Sequence, residues 1–441
     1  VTTPENKRDA MGFGLAALTK LASIPALDRL GLRKPLEELV STSTRTGFQA
    51  VGAANRAFTA TRRRSEPTRL EPSNRGEQFD LAPGEEQQMI ADTVGEFATE
   101  QLRPAAADAD AKLAPPDGLL ARAAELGVTS IGIPEELGGV GSERSVVTGA
   151  LVAEALAHGD LGLALAVLAP SGVSTALVQW GNAEQQDAYL PAFAGENVPA
   201  AAVALQERTA LFDPFKPTTT ARRTPSGYRL DGVKALVPRA RDAELFIVSA
   251  DLEGRGPALF IVESATNGVT INDQPAMGLR SAATGSLQLN NVSIPANALL
   301  GGGKPEVFTD AVRLSRIGWS ALAVGTGKAV LDYVTPYVNE RHAFGEPISH
   351  RQGVAFQVSD IAIELEGMRL TMLRAAARAE QGKPYAREAG LARKQAAEQG
   401  MRIGSAGVQL LGGHGYTKEH PVERWYRDLR AIGVMEGIVL L

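Results

Sequence analysis

Few residues in this chain of 441 have both the types and the spacing to do chemistry. Gly301-Gly302-Gly303 followed by Lys304 offers a flexible loop and a cation, the ingredients of a phosphate cradle. The Walker spacing and its trailing Ser/Thr are missing, so the run reads as a turn between domains. Arg341, within Asn339-Glu-Arg-His-Ala-Phe-Gly345, carries a guanidinium fork suited to phosphate, but taken alone it reads as a solvated helix residue. In Leu410-Leu-Gly-Gly-His-Gly-Tyr416 adjacent glycines permit a tight turn and let backbone approach a ligand; alone, this is a helix end. His414 and His420 stand six apart, not at the i,i+4 spacing of helical metal ligands, and no metal is expected. No strand, turn and helix carry G-x-G-x-x-G, which leaves a nicotinamide domain unsupported. The absence of cysteine removes disulfides, thiolate metal sites and thiol nucleophiles, and favours the cytoplasm.

The elements that must position these residues follow from pattern. Hydrophobic residues make up 44% and charged residues 22%, a globular composition, and a net charge of -5 offers no field for nucleic-acid phosphates. Residues 1–75 hold 13 Lys/Arg against 7 Asp/Glu. Their interrupted helical periodicity predicts short amphipathic helices, an extension packed on the body or a partner rather than a cleaved signal. Ser65 to Gln78 reads as a linker. From Phe79 the spacing of Met89, Ile90, Val94, Phe97 and Leu102 predicts a helix ended before Pro104. Val147 to Leu168 is apolar, yet Glu154, His158 and Asp160 within it argue for a buried helix and against a membrane span. Between Pro199 and Leu300 short β-rich runs (Tyr228-Arg-Leu, Leu245-Phe-Ile-Val, Leu259-Phe-Ile-Val, Leu287-Gln-Leu) alternate with turn residues. Long helical periodicity then returns to about Arg402. The expected class is α+β, divided into 1–78 (extension and linker), 79–198 (helical), 199–304 (β) and 305–441 (helical bundle).

Taken in order, the pieces from Phe79 to Gly437 resemble the acyl-CoA dehydrogenase family. Ile133-Pro-Glu-Glu-Leu-Gly-Gly-Val-Gly141, Trp180-Gly-Asn-Ala-Glu-Gln-Gln-Asp-Ala-Tyr-Leu-Pro191, Arg341 to Gly345, Gln352, Gln409-Leu-Leu-Gly-Gly-His-Gly415, Pro421-Val-Glu-Arg424 and Arg427-Asp428 stand at family-like intervals. The resemblance implies an N-terminal helical domain, a central β domain and a C-terminal four-helix bundle, assembled as a homo- or hetero-tetramer with FAD between neighbouring subunits. It implies that Arg341, Phe344, Gln352, Gln409, Gly412 and Gly413 reach a neighbour's FAD. It also implies an acyl-CoA substrate losing an α-proton to a carboxylate and a β-hydride to flavin, with electrons passing to an electron-transfer flavoprotein. Glu436, in Val434-Met-Glu-Gly-Ile438, occupies the place of that base. At the family's other base position this chain has Ser315-Arg316, and serine cannot take the role.

The departures from the family gather in the β domain. Where family members carry Thr-Glu-Pro-x-x-Gly-Ser-Asp, this chain reads Gln206-Glu-Arg-Thr-Ala-Leu-Phe-Asp213, and Leu236-Val-Pro238 replaces a Trp-Ile-Thr that covers the flavin. Proline offers neither hydroxyl nor N–H. Ile438 replaces a threonine, and the sequence ends at Leu441, before the place of the family's closing helix. These departures motivate an alternative expectation, a non-catalytic or half-catalytic subunit that completes a related partner's FAD site.

Overall fold

The computed structural model describes residues 81–139, 144–195, 197–209 and 212–441, within a compact unit spanning Phe79–Leu441. The expected basic extension, its linker and part of two family-like loops lie outside the described residues.

The first layer is helical. Helix α1 (Glu85–Phe97) starts where Gln87 Oε1 accepts the Gly84 N–H. The chain does not stop before Pro104 as the periodicity predicts. A single π turn, Ala98–Leu102, joins α1 to α2 (Arg103–Lys112), and Pro104 sits in the first turn of α2, where a missing N–H is tolerated. After α3 (Leu119–Glu125), the apolar run that reads as one buried helix is two, α4 (Val146–Gly159) and α5 (Leu161–Trp180). Asp160 divides them: its backbone is extended and its Oδ1 accepts the Leu163 N–H at 2.9 Å, which caps α5. Helix α5 has the length and composition of a membrane span but is almost wholly buried within the protein. A capping box at Asn182 and Gln185 opens α6 (Ala183–Ala194).

The central sheet has seven strands: β1 (Ala201–Ala204), β2 (Thr220–Thr224), β3 (Gly227–Val237), β4 (Leu245–Leu252), β5 (Gly256–Glu263), β6 (Val269–Asp273) and β7 (Gly285–Pro295). Their order is β1-β4-β2-β3-β7-β6, with β5 also paired to β4. Strand β4 pairs with β1 and β2 in parallel and with β5 antiparallel, and Leu245 through Ala250 are all buried, which explains its unbroken apolar run. Inside the sheet Lys234 is fully buried. Its Nζ donates to Glu207 Oε1 at 2.8 Å and Ser249 Oγ at 2.9 Å. The Glu207 carboxylate also accepts the N–H and hydroxyl of both Thr218 and Thr219. Burial pushes the Lys234 ammonium down to about 8; burial would raise Glu207, but Lys234 and the threonine donors hold it at about 2.

The second helical layer is α7 (Pro305–Glu340), α8 (Gln352–Glu380), α9 (Ala386–Leu410) and the short α10 (Val422–Ala431). At 36 residues α7 runs the length of the bundle and also packs on α4. That packing depends on Gly325, where an added Cβ would lie 2.0 Å from the Glu154 carbonyl oxygen. An ion pair from Arg369 Nε on α8 to Glu154 on α4, 2.9 Å, ties the same layers.

Replacing Lys234 by Met leaves Glu207 buried without its cation. Unfolding free energy is expected to fall by about 3–5 kcal/mol, the loss typical of halving a buried pair, and Glu207→Gln/Lys234→Met should recover most of it. Urea titration checks both; a double variant no better than the single one would contradict this account.

Candidate functional site

The residues singled out by sequence fall in two places. On the bundle surface Arg341 follows α7 directly and leads into a two-stranded hairpin, β8 (His342–Ala343) and β9 (Glu346–Pro347). Its turn residues Phe344 (φ 56°) and Gly345 (φ 87°) both lie in the left-handed region, as a tight hairpin of this twist requires. The Phe344 ring projects into solvent, 94% exposed, with the Arg351 guanidinium 5.8 Å from its centroid. Gln409 lies in the last turn of α9. Gly412 (φ 58°) and Gly413 follow in a 3-10 turn, and a Cβ at either would meet nothing within 4 Å, so backbone is open to approach.

Arg341, Phe344, Gln409, Gly412 and Gly413 line one open cavity of about 850 Å³, with Tyr337, Arg351 and His414. Gln352, the first residue of α8, is exposed and not among its lining residues. Ile348, Val354, Leu410 and Leu411 give the cavity an apolar floor. Two arginines, an imidazole and open glycine backbone at its rim suit a ligand with a flat ring and anionic groups. Arg351 is partly neutralised by Glu346 at 2.9 Å, whereas no carboxylate contacts Arg341 within ion-pair distance among the described residues. The imidazoles beside the cavity are held in place: Tyr337 OH lies 3.1 Å from His414 Nδ1, Tyr333 OH 2.7 Å from His420 Nδ1, and the two rings stack at 5.7 Å.

Glu436 lies elsewhere, on a strap after α10. Its carboxylate is bound by Arg316 (Nη2–Oε1 3.2 Å, Nε–Oε2 3.3 Å) and by Arg393 (Nε–Oε1 3.4 Å). Burial lowers the pKa of Arg393, and Glu436 is the first of the charges opposing that. The Arg316 guanidinium stands over Phe215, 5.0 Å from the ring centroid. The strap itself is clamped from three sides. Gln206 accepts the Glu436 N–H at 2.9 Å, Arg393 donates to the Met435 carbonyl, and both Ser315 Oγ and Trp319 Nε1 donate to the Gly437 carbonyl at 2.7 Å. Ser315, where sequence excluded a base, thus serves as a clamp. Arg393 carried no signal in the sequence, and Gln206 stood out only as the start of the segment that departs from the family.

Between strap and β domain is a cavity of about 120 Å³, lined by Leu236, Met277, Leu279, Thr284, Met435 and neighbours. This is well below the roughly 300–1,000 Å³ of sites that enclose a drug-sized ligand. Leu236 adopts φ 52° and its N–H is committed to Gln274 Oε1 at 2.9 Å. Pro238 adds no donor. The residues on the bundle face therefore fit a dinucleotide such as FAD, and this narrow junction does not fit a flavin ring as it stands.

All three domains meet at α10. Arg427 holds Asp110 of α2 (2.8 and 3.2 Å), Glu423 (2.8 and 3.0 Å) and the Met277 carbonyl (3.0 Å). Arg424 reaches Asp160 at 3.0 Å, which also accepts from Ser281. Asp428 accepts the Leu279 N–H at 2.6 Å.

This architecture, an N-terminal helical domain, a central sheet and a C-terminal helical domain with these sites, is matched domain by domain elsewhere. Residues 84–197 match the acyl-CoA dehydrogenase N-terminal domain, 202–292 the middle domain and 306–438 the C-terminal domain. The chain belongs to the acyl-CoA dehydrogenase family, whose members are flavoprotein oxidoreductases of fatty acid metabolism. It is 30% identical over 366 residues to the mitochondrial short-chain specific acyl-CoA dehydrogenase of Rattus norvegicus, covering 80% of this chain and 87% of that one. Among solved structures it is similar to butyryl-CoA dehydrogenase from Megasphaera elsdenii (TM-score 0.74, 29% identity, 81% and 96% of the two chains). It is also similar to PigA solved with FAD and proline (TM-score 0.75, 25% identity, 81% and 96%).

Burial, then the charge of Asp160, raises Asp428 from 3.8 to about 7, against the Leu279 N–H, Arg427 and Arg424. The folded state thus keeps a proton that the unfolded chain has released across that window, so stability falls as pH rises from about 4 to 7. Asp428→Asn, which keeps an acceptor for Leu279, is expected to flatten this slope and raise the melting temperature at pH 8 relative to the parent. Calorimetry at stepped pH checks it.

Proposed function

We propose that this chain is a subunit of an FAD-dependent acyl-thioester dehydrogenase that oxidises the α,β bond of an acyl-CoA. The observation that carries the reading is the convergence of Arg341, Phe344, Gln409, Gly412 and Gly413 on one open bundle-face cavity. Bound FAD supplies a two-electron acceptor for hydride. Arg341 and the 412–413 backbone would hold the anionic part of that dinucleotide, with Gln352 at the adjoining helix start. Glu436 takes the proton from the carbon beside the thioester carbonyl at its carboxylate, while the hydrogen on the next carbon leaves as hydride. Arg316 and Arg393 hold the carboxylate in place. Names of relatives, a short-chain acyl-CoA dehydrogenase and a butyryl-CoA dehydrogenase, support an acyl-CoA substrate. Exposed apolar side chains along the bundle, including Phe344, Phe356, Ile363 and Tyr416, support homo- or hetero-tetrameric assembly. Electrons would leave to an electron-transfer flavoprotein.

A second reading is favoured by the narrow cavity at Leu236 and Pro238: a subunit that lends its bundle face to a partner's FAD and houses no flavin ring of its own. Flavin titration separates the two. Stoichiometric submicromolar binding to the isolated chain supports the enzyme, and binding only when a related partner is present supports the lending subunit.

Under either reading Arg341→Ala removes a charge-assisted contact worth about 1.5–3 kcal/mol. FAD retention by the assembly is expected to fall roughly tenfold or more. Unchanged retention in equilibrium dialysis would take the bundle face out of the site. Glu436→Gln should abolish acyl-CoA-dependent flavin bleaching, at a cost in thermal stability because the buried Arg393 loses its carboxylate partner; persistence of bleaching would exclude Glu436 as the base.

A further inference from the structure

We propose that Gln206 is a positioning residue for Glu436, reaching across from the β domain to fix the backbone from which the carboxylate extends. The inference rests on the reading of Glu436 as the base. Gln206 is 5% exposed and its side-chain amide is spent on the strap: Oε1 accepts the Glu436 N–H at 2.9 Å and Nε2 donates to the Val434 carbonyl at 3.3 Å. One planar amide thus brackets both sides of Met435, which a shorter or apolar side chain cannot do.

The bracket is anchored at its own end. The Gln206 carbonyl accepts the Ala235 N–H at 3.0 Å, and the next residue, Glu207, is immobilised by Lys234, Thr218 and Thr219. The lateral position of the strap is therefore referred to the sheet by Gln206, while Ser315, Trp319 and Arg393 refer it to the bundle. A base must hold its geometry within a fraction of an ångström for efficient proton transfer. Loosening this anchor is expected to slow transfer while leaving thioester binding intact.

The test uses the full chain in its FAD-loaded assembly and follows exchange of the α-hydrogen of butanoyl-CoA in deuterated buffer. Gln206→Met keeps volume and loses both hydrogen bonds. The exchange kcat should fall about tenfold or more with KM within twofold of the parent, and the melting temperature should drop only modestly, the loss expected of two hydrogen bonds. Gln206→Glu keeps an acceptor for the Glu436 N–H but adds a like charge, so the acid limb of the pH profile should move to higher pH, a shift that lost packing would not produce. In the unmutated protein the Glu436 amide should be protected from hydrogen exchange to the level of the β4 core, a readout independent of variant folding.

Parent-like kcat and pH profile in both Gln206 variants, with Glu436→Gln inactive, would overturn the positioning role alone. Exchange that survives Glu436→Gln would overturn it together with the assignment of the base. An unprotected Glu436 amide would also overturn it.

Discussion

The fold hinges on burying charge where three domains meet. Helix α10 is only 10 residues long, yet through Arg424 and Arg427 it engages α2, the start of α5 and the loop before β7. An isolated helix of this length would not persist in water; its stability is borrowed from these contacts. Arg427 satisfies several acceptors at once and Arg424 is paired with the buried Asp160, and such pairing is the condition under which buried ions stop being a liability. The same contacts set where the chain leaves α10, and so where the strap begins. Asp428, buried beside Asp160 and raised toward neutrality, marks how little charge the junction tolerates beyond its paired complement.

From that junction two surfaces with different chemistry emerge. One is open, on the bundle face, with guanidinium and glycine backbone around an apolar floor. The other is closed around Glu436, where polar atoms of the strap are spoken for by Gln206, Ser315, Trp319 and Arg393. The first can receive a large ligand; the second holds one group still. The narrow cavity between strap and sheet is where they diverge most from a site complete within one chain.

Much of this was legible in the residues, and the failures have physical causes. The unbroken apolar run Leu245–Val248 is a strand buried on both faces, and the glycine pair after Leu411 does turn the chain beside Arg341. Strand β1, Ala201–Ala204, was hidden, because alanine favours helix and only parallel pairing with β4 makes it extended. Asp160 looked like a polar intruder in one apolar helix and is the cap that makes two. Pro104 looked like a stop and is absorbed by a π turn. The roles of Gln206 and Arg393 could not be read because they are with residues 230 and 43 positions away, which no local spacing encodes.

Ile438, next to the clamped Gly437 carbonyl, gives the strap an unusual energy balance. It is the centre of a γ-turn with φ 79°, closed by the Val439 N–H to the Gly437 carbonyl at 3.0 Å. A β-branched residue in that conformation costs about 1–3 kcal/mol. Its side chain is fully buried, which returns about 1.5–3 kcal/mol. The two nearly cancel at Ile438, and the buried Met435, Val439 and Leu440 on either side supply the apolar hold that Ile438 does not. The strap is consequently held by its buried neighbours and its polar clamps together, and it is expected to open only with the sheet and bundle it is pinned between.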